Sequence, residues 1–396
     1  MDGSRVLAAD RTLCVGVLVD LARRPDSGGH VKCWERLAAA AAGVPDLDLA
    51  VHFAGPGRGT EALAPNVRFV FEPPVFSTAR LGFLVGDVPD HADLAPWHPR
   101  VARALRGYDV VHTTDAFFAY ARTALRSGRP LVNSVHTNTP EYARHYAART
   151  LARLGLGALR LERLVEKRMR ARLAAHQRRC AFAFVSRPEE LAAAAALTGG
   201  RAGLLRRGID KAFFTPARRR RADDGRLVVL YAGRIDSGKN VGVLVDAVAR
   251  CGPEVHLVCA GEGPLRREIL ARLGPRASCP GNLSPDALAD AYAAADLFAF
   301  PSTIEEHANV VQEALASGLP VLATASMARL VEPGVTGLVL PGDDPRAWAE
   351  AITGLTAERR AAMGQAARAF AEARLPSWRD VLVEDLLPRW REAAAR

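Results

Sequence analysis

The chain has 396 residues, and at roughly 150 residues per domain it is too long for one ordinary core and predicts two domains. Hydrophobic residues make up 49% and charged residues 24%, the balance of a globular protein, which excludes a disordered or fibrous chain. The formal charge of +10, from 53 Lys and Arg against 43 Asp and Glu, suits acidic partners such as phosphates or anionic lipid, or simply reflects Arg-rich, Ala-rich usage.

Cys14, Cys33, Cys180, Cys251, Cys259 and Cys279 have no paired short spacings and no accompanying His pattern. Neither a zinc site nor a disulfide framework is indicated, and a reducing cytoplasm fits best. No run approaches the roughly 18 apolar residues of a membrane span, and the first apolar run, "LCVGVLV", is too short for a signal-peptide core.

Along the chain, short apolar runs alternate with helix-period segments, which predicts an α/β protein with parallel sheets covered by helices. "LCVGVLVD" reads as a strand, "LARRPDSGGH" as a glycine loop and "VKCWERLAAAAAG" as a helix. Further strands are expected at "LDLAVHFAG", "VRFVFEP", "DVVHTTD", "PLVNSVHTN" and "AFAFVS", giving a Rossmann-like domain over residues 1–205. Gly28 and Gly29 separate the first strand from the first helix, where backbone N–H groups can meet an anion; a plain tight turn is the competing reading. His136 follows a strand directly, at the end of the sheet where ligands bind, although a lone histidine is as readily structural. Asp46 and Asp48 make a DxD pair, but in a turn at the entry to a strand, so no metal site is expected.

From Arg144 to Arg179, eleven Lys or Arg stand against two Glu. Leu154, Ala158, Leu161, Val165, Met169 and Leu173 form one apolar stripe. Such a segment is an amphipathic helix docked on its own sheet or a surface helix drawn to anionic membrane. Nucleic acid is not expected as a partner, since no aromatics interleave with the arginines.

"TPARRRRADDGR", residues 215–226, interrupts the periodicity and reads as a linker. The pattern then restarts with strands "RLVVLYAG", "VHLVCAG", "DLFAFP", "LPVLATA" and "GLVLPG" among helices, a second Rossmann-like domain over 206–376. The final helix, 377–396, is expected to return to the first domain. "GRIDSGKN" places Arg234 and Lys239 on the loop after the second domain's first strand. Two cations there suit a diphosphate leaving group; two solvated surface cations are the alternative.

In "STIEEHANVVQEALASG", residues 302–318, a helix is predicted to start near Ala308 or Asn309 and to close at Gly318. Free N–H groups of Asn309, Val310 and Val311 would make a dipole-assisted phosphate seat. Glu305 precedes that seat and Glu313 lies inside the helix, with seven residues between them, so the carboxylates suit sugar hydroxyls on either side of a phosphate.

The second half resembles the donor domain of the retaining glycosyltransferases of family 4. "YAGRIDSGKN", "AGEGPL", "GNLSPDALADAYAAADLFAFPS", the spaced glutamates, "VVQEALASGLPVLAT" and "GVTGLVLPGDD" occur in that family's order. "SGGH", "VHTNTPEYARHY" and "GIDKAFFTP" are similar to first-half motifs of the branch holding α-mannosyltransferases and sulfolipid synthases. The resemblance implies the GT-B fold, two Rossmann-like domains facing each other across a deep cleft. It also implies retaining, metal-independent transfer of a sugar from a GDP- or UDP-sugar to an acceptor hydroxyl of a glycolipid, glycan or small metabolite, without a cofactor. By the same resemblance Arg234 and Lys239 bind diphosphate, Glu313 the ribose and Glu305 the transferred sugar. Asn309 and Val310 meet phosphate or sugar through their backbone, and Asn282, Leu283, His307 and Ala308 complete the donor-binding positions. His136 would sit near the donor sugar and acceptor, with Gly28 and Gly29 near the phosphates. Glu306, His307 and Ala308 stand where the family usually has a small or hydroxyl residue, phenylalanine and glycine, which alters the pocket's charge. A GT-B sugar-nucleotide epimerase and a noncatalytic nucleotide-sugar-binding protein are the alternatives. The expected location is the cytoplasm, with possible peripheral contact at the inner face of the membrane through 144–179.

Overall fold

The computed structural model describes residues 11–24, 27–77, 93–136, 139–153, 160–222, 224–303 and 309–396. They form two compact units, one of residues 1–206 with 378–396 and the other of residues 207–377.

The first unit is built on β1 (Leu13–Ala22), β2 (Leu47–Ala54), β3 (Gly59–Ala64), β4 (Val67–Glu72), β5 (Val110–Thr113), β6 (Leu131–Ser134), β7 (Phe182–Val185) and β8 (Ala202–Leu204). Their order is β3-β4-β2-β1-β5-β6-β7-β8. Neighbours run parallel except β3 and β4. Central β1 is apolar on both faces, as a sheet covered by helices on either side requires. The sequence order reverses between β1 and β5, and ligands of such sheets bind beside that switch point, at the carboxyl ends of the strands.

The chain's last helical stretch completes this unit. Trp378, Val381, Leu382, Leu386, Leu387 and Trp390 are buried in the same core as Trp34 and Leu37 of the first helix, Gly29–Ala41. Arg206 holds the stretch from outside, its guanidinium donating to Asp385 and Glu384.

The second unit has β9 (Leu227–Ala232), β10 (Val255–Ala260), β11 (Ala277–Gly281), β12 (Leu297–Phe300), β13 (Val321–Ala323) and β14 (Gly337–Val339), in the order β11-β10-β9-β12-β13-β14. All neighbours are parallel. β9 is buried at every position and lies at this sheet's switch point, between β10 and β12. Helix Val241–Arg250 packs on the sheet through Val241, Leu244, Val245 and Val248, the spacing of one helical face.

Residues 215–226 are not a linker. Arg218 pairs with Asp286 and Asp290, while Arg219 and Arg221 pair with Asp296, so three cations hold the segment onto helix Pro285–Ala294 and the start of β12. The arginine run reads as solvated because its acidic partners lie about 70 positions further along the chain.

The basic segment after His136 is two helices, Thr139–Arg153 and Leu161–Gln177. Of the expected stripe, Val165, Met169 and Leu173 are half-buried and Leu161 is exposed, while Leu154 and Ala158 lie outside the described residues. No helix among the described residues is long and apolar enough to cross a membrane.

Candidate active site

In the second unit Arg234 and Lys239 follow the carboxyl end of β9, and Asn309, Val310 and Glu313 lie in the helix after β12, its hydrogen-bonded neighbour. After β9 the backbone stays tied to the β10 loop: Gly233 N donates to Ala260 O and Ile235 N to Glu262 O, both at 2.9 Å. Gly261 and Gly263 permit this close approach. Gly261 has φ +143, and a Cβ on it or on Gly263 would stand 2.0 Å from Gly233 O or 2.1 Å from Ile235 O.

Asp236 sets the two cations on that loop. Its Oδ2 accepts from Arg234 Nε at 2.8 Å, and its Oδ1 accepts Lys239 N at 3.0 Å, capping the short turn Ser237–Lys239. Arg234 projects outward and Lys239 is half-buried.

Asn240 is a residue that sequence reasoning passed over. It adopts a left-handed conformation, φ 58, and its Nδ2 donates to Pro301 O at 3.1 Å and to Gly342 O at 2.5 Å. One side chain thus joins the loops after β9, β12 and β14. From β13, Ser326 Oγ donates to Ser302 O at 2.9 Å. Asn and Asp tolerate the left-handed region, so "GKN" carries a local signal, but its distant carbonyl partners are invisible in sequence.

Helix Asn309–Ala316 begins where expected, and Glu313 within it is only 3% exposed. Tyr292 Oη lies 3.1 Å from Glu313 Oε2 and 3.2 Å from Val310 O, anchoring the carboxylate and the helix start together. Asn309 Oδ1 and Gln312 Oε1 are buried acceptors with no hydrogen-bond partner among the described residues. Asn282 is exposed and Leu283 half-buried just after β11, beside the β10 loop. Glu305, His307 and Ala308, with Glu306, lie outside the described residues. A separate hollow of about 270 Å³, lined by Gly225, Arg226 and Glu254 among others, lies at the opposite, amino end of β9.

In the first unit, Gly28 caps the first helix with φ −66 and open space around it, so its backbone does not require glycine, and what glycine provides is clearance. Among the described residues no side chain caps this helix start and its first turn carries no acid, so the positive end of its dipole favours an anion. His30, one residue on, stacks on His136 with ring centroids 4.4 Å apart and planes 9° from parallel. The structure thus brings the "SGGH" loop and His136 together.

His136 stands at the end of a hydrogen-bonded series. Its Nε2 is 2.7 Å from Ser134 Oγ and 3.2 Å from Trp34 Nε1. Ser134 Oγ is 2.8 Å from His112 Nε2, and His112 Nδ1 accepts from Trp390 Nε1 at 2.9 Å. His112 is fully buried, and burial pushes its pKa down to about 3. Sequence reading missed His112, Ser134 and Trp390, because two adjacent strands and the distant last helix supply them.

Two acids near the same end of the sheet were also missed. Asp20, in β1, is buried; its Oδ2 accepts Tyr120 N at 3.0 Å and its Oδ1 has no hydrogen-bond partner among the described residues. Burial, with the charge of Asp115 beside it, pushes the Asp20 carboxyl well above the usual carboxylate range. Asp115, just after β5, is raised as well by burial, against the pull of the Phe117 and Phe118 N–H groups.

Residues 226–358 match the family described as "Glycosyl transferases group 1". The GDP-mannose-dependent alpha-mannosyltransferase of Mycolicibacterium smegmatis is 34% identical over 312 residues, 75% of this chain and 78% of the relative. The chain belongs to the group 1 glycosyltransferases. Among solved structures, sucrose-phosphate synthase from Thermosynechococcus elongatus superposes with a TM-score of 0.70 at 21% identity, over 94% of this chain and 97% of that one. Anabaena HepE in complex with UDP and glucose superposes with a TM-score of 0.63 at 19% identity, over 92% and 96%. The fold is GT-B, as the motifs implied, and this glycosyltransferase uses a nucleotide sugar as its substrate.

Proposed function

We propose that this glycosyltransferase moves a hexosyl group, mannosyl from GDP-mannose in the first instance, to an acceptor hydroxyl with retention of anomeric configuration and without a metal. The observation that carries the proposal is the joined loop cluster at the ends of β9 and β12. It offers Arg234 and Lys239, a helix start at Asn309 and a buried carboxylate, Glu313, held by Tyr292. Guanidinium, ammonium and helix N–H groups meet the charge that develops on a departing diphosphate. Glu313 accepts from ribose hydroxyls, and Asn282, Leu283, Val310, Glu305, His307 and Ala308 complete the donor-sugar side.

The mannosyl choice is supported by the name of the relative that matches three quarters of the chain. A UDP-sugar is the competing substrate, and the acceptor is a glycolipid, a glycan or a small metabolite. His136 serves the transferred sugar and the acceptor, and Gly28 and Gly29 serve the phosphates. In a front-face reaction the bond from the anomeric carbon to the diphosphate oxygen breaks, the acceptor oxygen bonds to the same face, and the leaving phosphate takes the hydroxyl proton. Exposed Leu161 and Leu164 among the arginines of helix Leu161–Gln177 support peripheral contact with an anionic membrane, to be read by sedimentation with phosphatidylglycerol vesicles.

Thermal shift and calorimetry with GDP, UDP, GDP-mannose and UDP-glucose test the donor site, since a binder of the folded state stabilises it by mass action. Binding of GDP and GDP-mannose is expected; a protein that binds none of the four would sink the reading. NMR of the product's anomeric proton then reports stereochemistry, and turnover after dialysis against EDTA reports metal dependence. An inverted product or loss of turnover in EDTA would overturn those two parts separately.

A further inference from the structure

We propose that Trp390, His112 and Ser134 are positioning residues that fix His136 as the neutral imidazole carrying its proton on Nδ1. Two indoles, Trp390 and Trp34, set the directions. An indole N–H can only donate. Trp390 Nε1 meets His112 Nδ1 at 2.9 Å, so His112 Nδ1 is an acceptor and its ring proton sits on Nε2. That N–H donates to Ser134 Oγ at 2.8 Å, which turns the serine hydroxyl proton toward its other neighbour, His136 Nε2, at 2.7 Å.

The second indole gives the same answer independently. Trp34 Nε1 lies 3.2 Å from His136 Nε2, and a proton on that nitrogen would face the indole proton. His136 Nε2 is therefore an acceptor from both sides, and Nδ1 carries the hydrogen. Near-parallel stacking on His30, with ring centroids 4.4 Å apart, holds the plane of the His136 ring. Every member of the series is buried, so water does not compete for these directions.

The consequence for catalysis rests on the proposed reading of His136 as a site residue. With Nε2 already occupied as an acceptor, any hydrogen bond that His136 offers a sugar comes from Nδ1–H, as a donor to an oxygen rather than from a base that removes a proton. Which nitrogen of a histidine carries the proton follows from what its other nitrogen meets, and here that partner is set by a tryptophan from the end of the chain.

Nitrogen NMR of full-length protein labelled with ¹⁵N-histidine reads the tautomer directly, with His136→Gln assigning the signal. In the wild type, Nε2 of His136 is expected to be unprotonated and Nδ1 protonated. Ser134→Ala should shift the Nε2 resonance or mix the tautomers, and Ser134→Thr, which keeps the hydroxyl, should restore the wild-type pattern. A protonated Nε2 in the wild type, or a His136 signal indifferent to Ser134→Ala, overturns the proposal; neither result depends on whether Trp390→Phe folds. Nucleoside diphosphate release from GDP-mannose or UDP-glucose then tests the catalytic part. Ser134→Ala should lower kcat roughly three- to tenfold, the worth of one neutral hydrogen bond, at unchanged affinity for GDP or UDP. A shifted tautomer with unchanged kcat would leave the relay standing and remove His136 from the transfer step.

Discussion

Trp390 Nε1 donates to His112 Nδ1 across 278 positions of sequence, at 2.9 Å and out of reach of solvent. Replacing Trp390 with Phe keeps most of the packing and orphans a buried acceptor. The expected cost is about 1–3 kcal/mol, against about 3–5 kcal/mol for Trp390→Ala, which also leaves a cavity. Hydrogen exchange locates the damage: amides of β5 and β6 should lose protection while those of β9 and β10 keep theirs.

Glu313 is expected to matter more for affinity than for folding. A buried carboxylate that accepts from ribose hydroxyls contributes about 1.5–3 kcal/mol, so Glu313→Ala should weaken GDP or UDP binding roughly ten- to a hundredfold by calorimetry. Tyr292→Phe removes only the hydroxyl that holds Glu313 and should cost less, about tenfold or below. Equal affinity in Glu313→Ala and wild type would remove Glu313 from the nucleotide site.

Gly263→Ala tests the loop that carries the cations. Its Cβ would stand 2.1 Å from Ile235 O, a backbone atom, so the strand extension must move. Overpacking of this kind costs about 1–3 kcal/mol. Displacement of Arg234 and Lys239 should weaken diphosphate binding in the same variant, whereas Gly242→Ala, in open space on helix Val241–Arg250, should change neither melting temperature nor affinity downward.

Acid should act on the first unit through its buried histidines. Burial lowers His52 and His112 to about 3 and His176 to about 4, against an ordinary value near 6.5. Below about 6.5 the unfolded chain binds protons that the folded chain refuses, so this contribution is full above that pH and is lost as pH falls toward 3 to 4. Asp20 and Asp115, held up by burial, titrate with the opposite sign and soften the slope. His52→Gln can keep the contact with Tyr108 Oη, 2.7 Å away in the wild type, and should flatten the fall in urea midpoint between pH 7.5 and 5. An identical fall in both proteins would refute the assignment for His52.

The central strands were legible because β1 and β9 are continuous apolar runs, as strands covered on both faces must be. The edges were not. β3 is mostly exposed and begins at a glycine, and β11 contains Pro280 and ends at Gly281, composition that reads as turn and is tolerated where one side of a strand lacks a partner. The placement of Arg234, Lys239 and the helix from Asn309 was legible because each lies within nine residues of a strand's carboxyl end. Asn240, His112, Ser134 and Trp390 were not, because their meaning lies in contacts spanning 22 to 278 positions, which no local pattern encodes. The arginines of 215–226 show the same limit from the other side: a charge run looks solvated until its aspartates are in place.

The division of the chain into one continuous unit, 207–377, and one made of both ends also sets an order of assembly. During synthesis the continuous unit has every strand and helix it needs once residue 377 has emerged. The other unit begins earlier, yet its sheet lacks the cover of Trp378, Leu382 and Trp390 until residues 378–390 have left the ribosome. Domains generally fold as units while the chain is made, so here the half synthesised first is the half completed last. A nascent chain arrested before Trp390 would carry a finished 207–377 unit and an unfinished first unit with its core exposed.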